Sequence, residues 1–114
     1  MSNRYSITFS GTSLLSTGSY LSYGGIASSS IPYIVPESSA IVAISAGSTG
    51  IQVGTSFSII QNGNSIISFP FNNQQYIYQN GINYPLNIND QIAVQVNGIS
   101  VSSSFSLTLF IEVF

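Results

Sequence analysis

The sequence predicts an all-β protein, a jelly-roll β-sandwich of about eight to ten antiparallel strands. Three observations favour this fold class. The last stretch of the chain alternates apolar and mixed positions with a period of two, as expected for a strand with one buried face. Signals for turns, rich in Gly, Asn and Ser, recur roughly every 8 to 12 residues. No stretch carries a helical period longer than one turn.

The last stretch, residues 104–114, is expected to form a long central strand. Its sequence is SFSLTLFIEVF. One side of the extended chain would carry the apolar set Phe105, Leu107, Leu109, Ile111 and Val113. The other side would carry the mixed set Ser106, Thr108, Phe110, Glu112 and Phe114. Since a free terminus this apolar would template aggregation, we expect it to be tied into a sheet.

The Asn62-Gly63 pair gives the clearest local signal. It separates two β-rich runs, residues 55–61 and 64–71. A two-residue type I′ turn needs a positive φ at both central positions, which Asn and Gly tolerate. The sequence therefore predicts a hairpin here.

The other predicted elements are shorter and follow in chain order. They are a strand over 4–10, a polar loop over 11–18, a short aromatic strand over 20–25, an edge piece over 33–35, a buried strand over 40–46 that ends at 47–50, a brief pairing over 76–78 and a strand over 91–96. Pro32 and Pro36 flank the edge piece, and each removes one backbone donor from a ladder.

Composition indicates one domain, residues 1–114, with an unusual surface. The chain has 114 residues and a mass of 12.1 kDa, and only 4% of its residues are charged. Ordinary soluble surfaces are about 25 to 35% charged. Ser, Thr, Asn and Gln account for 46 residues and supply neutral polarity instead.

Charge and hydropathy exclude several partners. Nucleic-acid binding uses several Lys or Arg contacts to phosphates, and this chain contains one cationic side chain. The same count argues against docking to anionic membranes. No apolar run approaches the roughly 20 residues that a membrane helix needs, so membrane insertion is not expected. Disulfides are excluded because the chain has no cysteine.

The inventory of reactive groups argues against an enzyme. The chain has no His, Cys or Lys, so catalysis would need two of Glu37, Asp90 and Glu112 within about 5 to 9.5 Å, as in glycosidases. Each carboxylate has a simpler role. Glu37 lies in a turn, Asp90 would start a strand from an Asx-type turn, and Glu112 would point out of the last strand or pair with Arg4. We predict no catalytic residues and no cofactor.

The turn before residue 91 offers a candidate for a weak calcium site. Asn87, Asn89 and Asp90 offer oxygen donors there, but one carboxylate gives a weak site at best. Capping of a turn by these residues is the commoner role. We therefore predict no metal site.

The polar stretch 72–84 offers candidates for ligand binding. Amides and aromatic faces are the groups that meet sugar hydroxyls and sugar C–H surfaces. The candidate residues are Asn72, Gln74, Tyr76, Tyr78, Asn83 and Tyr84. The alternative is a polar loop whose tyrosines pack on their neighbours.

The aromatic content suggests an oligomer. The chain carries seven Phe and seven Tyr residues, more than one small sandwich core easily holds. Interface centres are poor in charge and rich in Tyr and Phe, and identical chains close by cyclic symmetry. We predict a homotrimer whose aromatic axis includes Tyr5, Phe9, Phe110 and Phe114. The alternative is that these rings fill the inner face of a second sheet.

Five stretches together resemble a known family. They are YLSYGGIASSS, VPESSAIVAIS, SFSIIQNGNSI, PLNINDQIAVQV and SFSLTLFIEV, and they span the chain from about Gly18 onward. Their order is similar to that in the C-terminal heads of bacterial and phage collagen-like proteins, including the exosporium glycoproteins of spore formers. Such heads look like the jelly rolls of tumour necrosis factor and the complement globular heads. This chain departs from the family in having no Gly-X-Y run before Tyr5.

The resemblance implies a non-enzymatic trimerisation head at the end of a fibrous surface protein, with a possible adhesive role. Its location would be extracellular or on the surface of a spore, cell or virion, and its partner would be itself. A carbohydrate-binding module, or a viral or phage fibre head that binds a glycan or another host receptor, remains the alternative.

Overall fold

A computed structural model describes residues 3–14, 18–23 and 25–114. Within these residues the chain forms twelve strands, eight of them longer than two residues, and no helix. The strands are β1 (Asn3–Leu14), β2 (Ser19–Tyr20), β3 (Ser22–Tyr23), β4 (Ile26–Ala27), β5 (Tyr33–Ile34), β6 (Ser39–Gln52), β7 (Ser56–Gln61), β8 (Asn64–Pro70), β9 (Gln74–Gln79), β10 (Tyr84–Leu86), β11 (Gln91–Asn97) and β12 (Ser103–Val113). In the described residues, nothing helical could cross a membrane.

The strands form two antiparallel sheets. The larger sheet has the order β10-β6-β12-β1-β3-β4, with β9 also paired to β6 beside β10. The smaller sheet has the order β2-β11-β7-β8, with β5 also paired to β11. Every described pairing is antiparallel. The predicted all-β fold class is confirmed.

Strand β12 lies in the middle of the larger sheet, between β1 and β6. Phe105, Leu107, Leu109 and Ile111 are buried, whereas Phe110 is exposed. The prediction of a central strand with one buried face is confirmed.

The predicted hairpin is present. Strands β7 and β8 pair with Gln61 opposite Asn64. The two turn residues have the required positive φ angles, 51° at Asn62 and 86° at Gly63. The local chemistry of Asn-Gly therefore determines this connection.

Strand β6 is longer than predicted. It does not end at Gly47 but continues to Gln52. A Cβ atom at Gly47 would lie 3.3 Å from the ring of Tyr76, and one at Gly50 would lie 2.8 Å from Ser103 Oγ. These glycines therefore allow close neighbours inside a continuous strand, and reading them as breakers was wrong.

The first third of the chain also differs from prediction. Strand β1 extends through the predicted loop as far as Leu14, where it pairs with Ser103 after a register shift. Residues 15–17 of that loop lie outside the described residues. The predicted aromatic strand over 20–25 is divided, because β2 joins the smaller sheet and β3 joins the larger. Gly24 is not among the described residues.

One hydrophobic cluster lies between the two sheets. At one end, Phe57, Phe71 and Phe105 form a ring triad with centroid separations of 5.1 to 6.0 Å. At the other, Tyr23 meets both Phe9 and Tyr33. Edge-on and tilted contacts of this kind add stability beyond area burial.

A buried amide at the end of β6 joins the β6–β7 and β11–β12 connections. Gln52 is completely buried. Its Nε2 donates to Val101 O at 3.0 Å and to Ser103 Oγ at 2.9 Å, and its Oε1 accepts from Thr55 Oγ1 at 3.1 Å and from Ser100 N at 3.2 Å. Since both ends of the amide are satisfied, this polar group is tolerated in the core.

Candidate functional site

The candidate site lies on the solvent side of the larger sheet, which we call the outer face. It consists of the outward positions of β9, β6, β12 and β1. Register brings rows of these positions together across the sheet: Tyr78, Ser45, Thr108 and Thr8 form one row. Tyr76, Gly47, Ser106 and Ser10 form the next. The face is therefore a neutral band of hydroxyls with two tyrosines at one margin.

The two tyrosines project from an edge strand. Tyr76 is 72% exposed and Tyr78 is 70% exposed. The ring of Tyr76 lies against Gly47 of β6, where a side chain would crowd it. Sequence alternation within β9 places both rings on the same side of the sheet.

A groove of about 760 Å³ opens at one end of the outer face. The connection between β9 and β10 forms one wall, and the ends of β12 and β1 form the other. The floor is apolar, with Val42 and Ala43. The described lining residues are Arg4, Val42, Ala43, Tyr78, Asn80, Gly81, Ile82, Asn83, Phe110 and Glu112.

The groove contains an ion pair. Arg4 Nε donates to Glu112 Oε2 at 2.8 Å, and Arg4 Nη2 lies 2.8 Å from the same oxygen. These residues face each other in the register of β1 and β12. Arg4 is the one cationic side chain in the sequence. The predicted pairing of Arg4 with Glu112 is confirmed.

The described lining of the groove carries one carboxylate, that of Glu112. Glu112 is engaged by the guanidinium, and no second carboxylate is among the described lining residues. The described part of the chain holds no cluster of three or more His, Cys, Asp or Glu side chains. The groove thus offers an aromatic face, amides and a neutralised charge pair to a ligand.

Asp90 does not line the groove, and its carboxylate accepts three hydrogen bonds. Its carboxylate accepts from Gln61 Nε2 at 2.6 Å, from Asn62 Nδ2 at 3.0 Å and from the backbone N–H of Asn87 at 2.8 Å. The hydrogen bond from Asn62, then that from Asn87, holds the pKa of Asp90 below its usual value despite burial. The carboxylate therefore links the hairpin turn to the start of β11.

The structure brings together only part of the predicted ligand set. Tyr76 and Tyr78 share the outer face, and Tyr78 and Asn83 line the groove. Asn72 and Gln74 lie at the opposite end of β9, where Asn72 has a φ of 55° in the turn after β8. Tyr84 is separate, because it packs against the core and its hydroxyl donates to Gln61 Oε1 at 3.2 Å.

The predicted interface set is divided between two faces. Phe110 is 37% exposed and Phe114 is 76% exposed. Phe9, in contrast, is completely buried, since it pairs with Leu107 and shares its inward side. Placing Phe9 at an oligomer surface was wrong. Tyr5 packs against the core, with its hydroxyl 2.7 Å from that of Tyr33.

Sequence reasoning missed the groove and several of its residues. Asn80, Gly81 and Ile82 fall in the polar stretch 72–84 but are not among its predicted ligand-binding residues, and Val42 falls in the predicted buried strand. The available signal was the pairing of Arg4 with Glu112, which places the chain's cation at the end of the last strand. The wall formed by residues 80–83 depends on sheet order, which no local pattern reveals.

Comparisons with known proteins identify solved structures with a similar fold. No protein-family model matches the chain, and no curated protein sequence matches it. Among solved structures, a chain of the capsid asymmetric unit of cyanophage Pam1 has a TM-score of 0.60 at 10% identity, covering 99% of this chain and 86% of that one. A chain of the acid-stable capsid of Helicobacter pylori bacteriophage KHP30 has a TM-score of 0.57 at 13% identity, covering 99% and 94%.

A third structure is the carbohydrate-binding module CBM36 in complex with calcium and xylotriose. Its TM-score is 0.52 at 17% identity, covering 96% of this chain and 97% of that one. This chain has a jelly-roll-type fold. At these identities the likeness concerns the fold alone.

Proposed function

We propose that this chain is a self-associating, non-enzymatic β-sandwich on the surface of a particle or fibre, and that it acts as a homotrimeric head. The observation that carries the proposal is the exposure of Phe110 on β12 and of Phe114 just after it, beside Arg4 and Glu112, which neutralise each other. Burying these rings between copies would remove apolar surface from water without stranding a charge.

Two of the structural neighbours support a particle component. Both are chains of phage capsids. The resemblance to the heads of collagen-like proteins adds the three-fold arrangement, a single head domain over residues 1–114, and a fibrous segment elsewhere in the protein. The proposed location is the outside of a virion, spore or cell.

Molar mass in solution tests this proposal. Size-exclusion chromatography with light scattering is expected to give about three times 12.1 kDa for the wild type. Phe110→Glu should lower the mass to that of one chain, because it buries an unpaired charge at the contact. Ile88→Glu is the matched control, since Ile88 is an exposed apolar residue in the β10–β11 turn. A wild type that stays monomeric up to about 100 µM would refute the proposal.

A second candidate function is carbohydrate binding in the groove. Tyr78 offers a ring face, Asn80 and Asn83 contribute amides, and the Arg4–Glu112 pair supplies both donors and acceptors. The neighbour that was solved with xylotriose supports this candidate. The proposal invokes no metal, because Asp90 already accepts three N–H hydrogen bonds away from the groove.

Tyr78 and Tyr76 give a matched pair for testing the second candidate. Both are exposed to the same extent on one strand, but Tyr78 lines the groove and Tyr76 does not. With xylotriose and a panel of soluble neutral polysaccharides, calorimetry should show binding that Tyr78→Ala weakens at least about tenfold and Tyr76→Ala leaves unchanged. Equal losses in both variants, or no binding by the wild type to any ligand, would refute the groove as a glycan site.

A further inference from the structure

Strand β9 is an edge strand that lacks a protecting charge or proline, although its pairing with β6 shifts register between Gly47 and Gln52. It pairs with β6 on one side, and no described strand pairs with its other side. Its sequence, QQYIYQ, contains no charge, proline or glycine. Edges are normally blunted by Lys, Pro, bulges or a covering element, because unpaired backbone groups are a template for another strand. The pairing with β6 is regular from Tyr76 to Gln79.

The same strand is self-complementary in sequence. Residues 75–79 read Gln-Tyr-Ile-Tyr-Gln, identical in both directions. If two copies pair antiparallel with Ile77 at the centre, Tyr76 lies opposite Tyr78 of the partner subunit. Gln75 then lies opposite Gln79 of the partner subunit. Opposed aromatic residues are a favourable cross-strand pair, and the neutral amides introduce no repulsion.

We propose that two copies of this chain pair antiparallel along β9 about a two-fold axis at Ile77, which joins their larger sheets into one continuous sheet. This is strand addition between identical edges, and its symmetry is that of an isologous contact. The proposal rests on the self-association proposed above. A three-fold contact closes on itself, so a particle built from trimers needs a second contact, and β9 supplies it.

The symmetry of the sequence favours a second copy over a foreign strand. When two copies pair about Ile77, the five-residue palindrome places like residues opposite each other, Tyr against Tyr and Gln against Gln. Tyr76 and Tyr78 are largely exposed in the isolated chain, so pairing would bury apolar ring surface on the outer face. No charge on β9 selects a charged partner.

The contact is expected to be weak by itself. One short paired edge is smaller than the roughly 1,200–2,000 Å² of a standard stable interface. Pairing should therefore depend on concentration over about 1 to 200 µM and gain strength in an assembly that presents many copies.

Disulfide trapping tests the register, since the natural chain contains no cysteine. Tyr76→Cys and Tyr78→Cys are prepared separately and mixed under mild oxidation. Directly opposite strand residues lie within the Cα separation that a disulfide tolerates, whereas positions offset by two residues do not. The mixture should give at least about ten times more covalent dimer than either variant alone. A mixture of Tyr76→Cys with Ile34→Cys, an exposed position on the smaller sheet, is the control.

A charge exchange gives a second measurement that needs no oxidation. Tyr76→Glu should reduce pairing, measured by sedimentation against concentration, because it places a carboxylate against the opposing ring. Tyr76→Glu/Tyr78→Lys should restore it, because opposite charges then face each other twice across the axis. Tyr76→Glu/Tyr78→Glu should not restore it.

The outcomes separate this inference from the proposed trimer. If trimers form but the cysteine mixture crosslinks no better than its control and the charge exchange restores nothing, the β9 contact is refuted and the three-fold head stands. If the mixture crosslinks specifically while the wild type never exceeds a dimer in mass, the trimer is refuted and the β9 contact stands. Circular dichroism of each variant confirms that it is folded.

Discussion

Asp90 shows how one carboxylate joins two separate segments of this fold, the β7–β8 hairpin and the turn before β11. It is 8% exposed and accepts hydrogen bonds from the hairpin residues Gln61 and Asn62 and from the backbone of Asn87. Hydrogen bonds to a charged group each contribute about 1.5–3 kcal/mol, more than neutral ones. The chain has only three carboxylate side chains, so we expect Asp90 to account for much of the change in the free energy of unfolding at acid pH.

Asp90→Asn is expected to lower the free energy of unfolding at pH 7 by about 1.5–3 kcal/mol. The NH2 group of the introduced asparagine would point at N–H groups of Gln61, Asn62 or Asn87, which are themselves donors. The pKa of Asp90 is lowered in the folded state, so its contribution is fully present above its unfolded pKa of about 3.9 and is lost as pH falls through the folded value. The difference between wild type and variant should therefore shrink below about pH 4. Urea unfolding at pH 7, 4 and 2.5 measures it.

Glu37→Gln is the control for this pH dependence, because Glu37 is exposed in the turn before β6. It should unfold like the wild type at all three pH values. A difference between wild type and Asp90→Asn that is equally large at pH 2.5 and pH 7 would contradict the role assigned to the charge.

At the scale of elements, the two glycines within β6 allow side chains of neighbouring strands to approach the backbone closely. A new Cβ at Gly50 would lie 2.8 Å from Ser103 Oγ, which is itself hydrogen-bonded to buried Gln52. A new Cβ at Gly47 would lie 3.3 Å from the exposed ring of Tyr76, which can move outward. The two sites therefore differ in the cost of a methyl group, although they lie three residues apart.

Gly50→Ala is expected to destabilise the fold by about 1–3 kcal/mol, because it forces apart a packed and hydrogen-bonded neighbour. Gly47→Ala, the matched variant, should change stability by less than about 0.5 kcal/mol, since lower chain entropy in the unfolded state offsets a small ring displacement. Thermal and urea unfolding measure both. Equal effects at the two positions would show that the close approach at Ser103 does not restrict Gly50.

Local patterns predicted the elements that local chemistry determines. The Asn62-Gly63 turn follows from backbone sterics alone, and the buried side of β12 follows from alternation. Sequence patterns gave wrong predictions where a residue on a neighbouring strand determines whether a position is paired or buried. Gly47 stays within a strand because the ring of Tyr76 lies beside it, and Phe9 is buried because its register partner in β12 is Leu107.

At the scale of the whole molecule, the groove could not be predicted from sequence. Its walls come from residues 80–83 and from Phe110 and Glu112, which are distant in the chain. They meet because β9, β10 and β12 all flank β6 in the larger sheet. Sheet order of this kind depends on long-range pairing, whereas single-sequence periodicity reports only on the local backbone. The aromatic candidates were recognised by composition, but the division between core and surface needed the register.

The near absence of charge predicts a stability that salt hardly changes. Only four side chains carry a formal charge. Among the described residues the one ion pair is Arg4–Glu112, with Arg4 67% exposed at its side chain. Exposed pairs of this type contribute about 0–1 kcal/mol and weaken as salt screens them. We expect the melting temperature to change by less than about 2 °C between 20 and 300 mM NaCl at pH 7.

Arg4→Gln should abolish even that small dependence on salt. Ser6→Gln, at a neutral outward position on the same strand, is its control. A larger salt response in the wild type would show that charge–charge interactions other than this pair hold the fold or its assembly together.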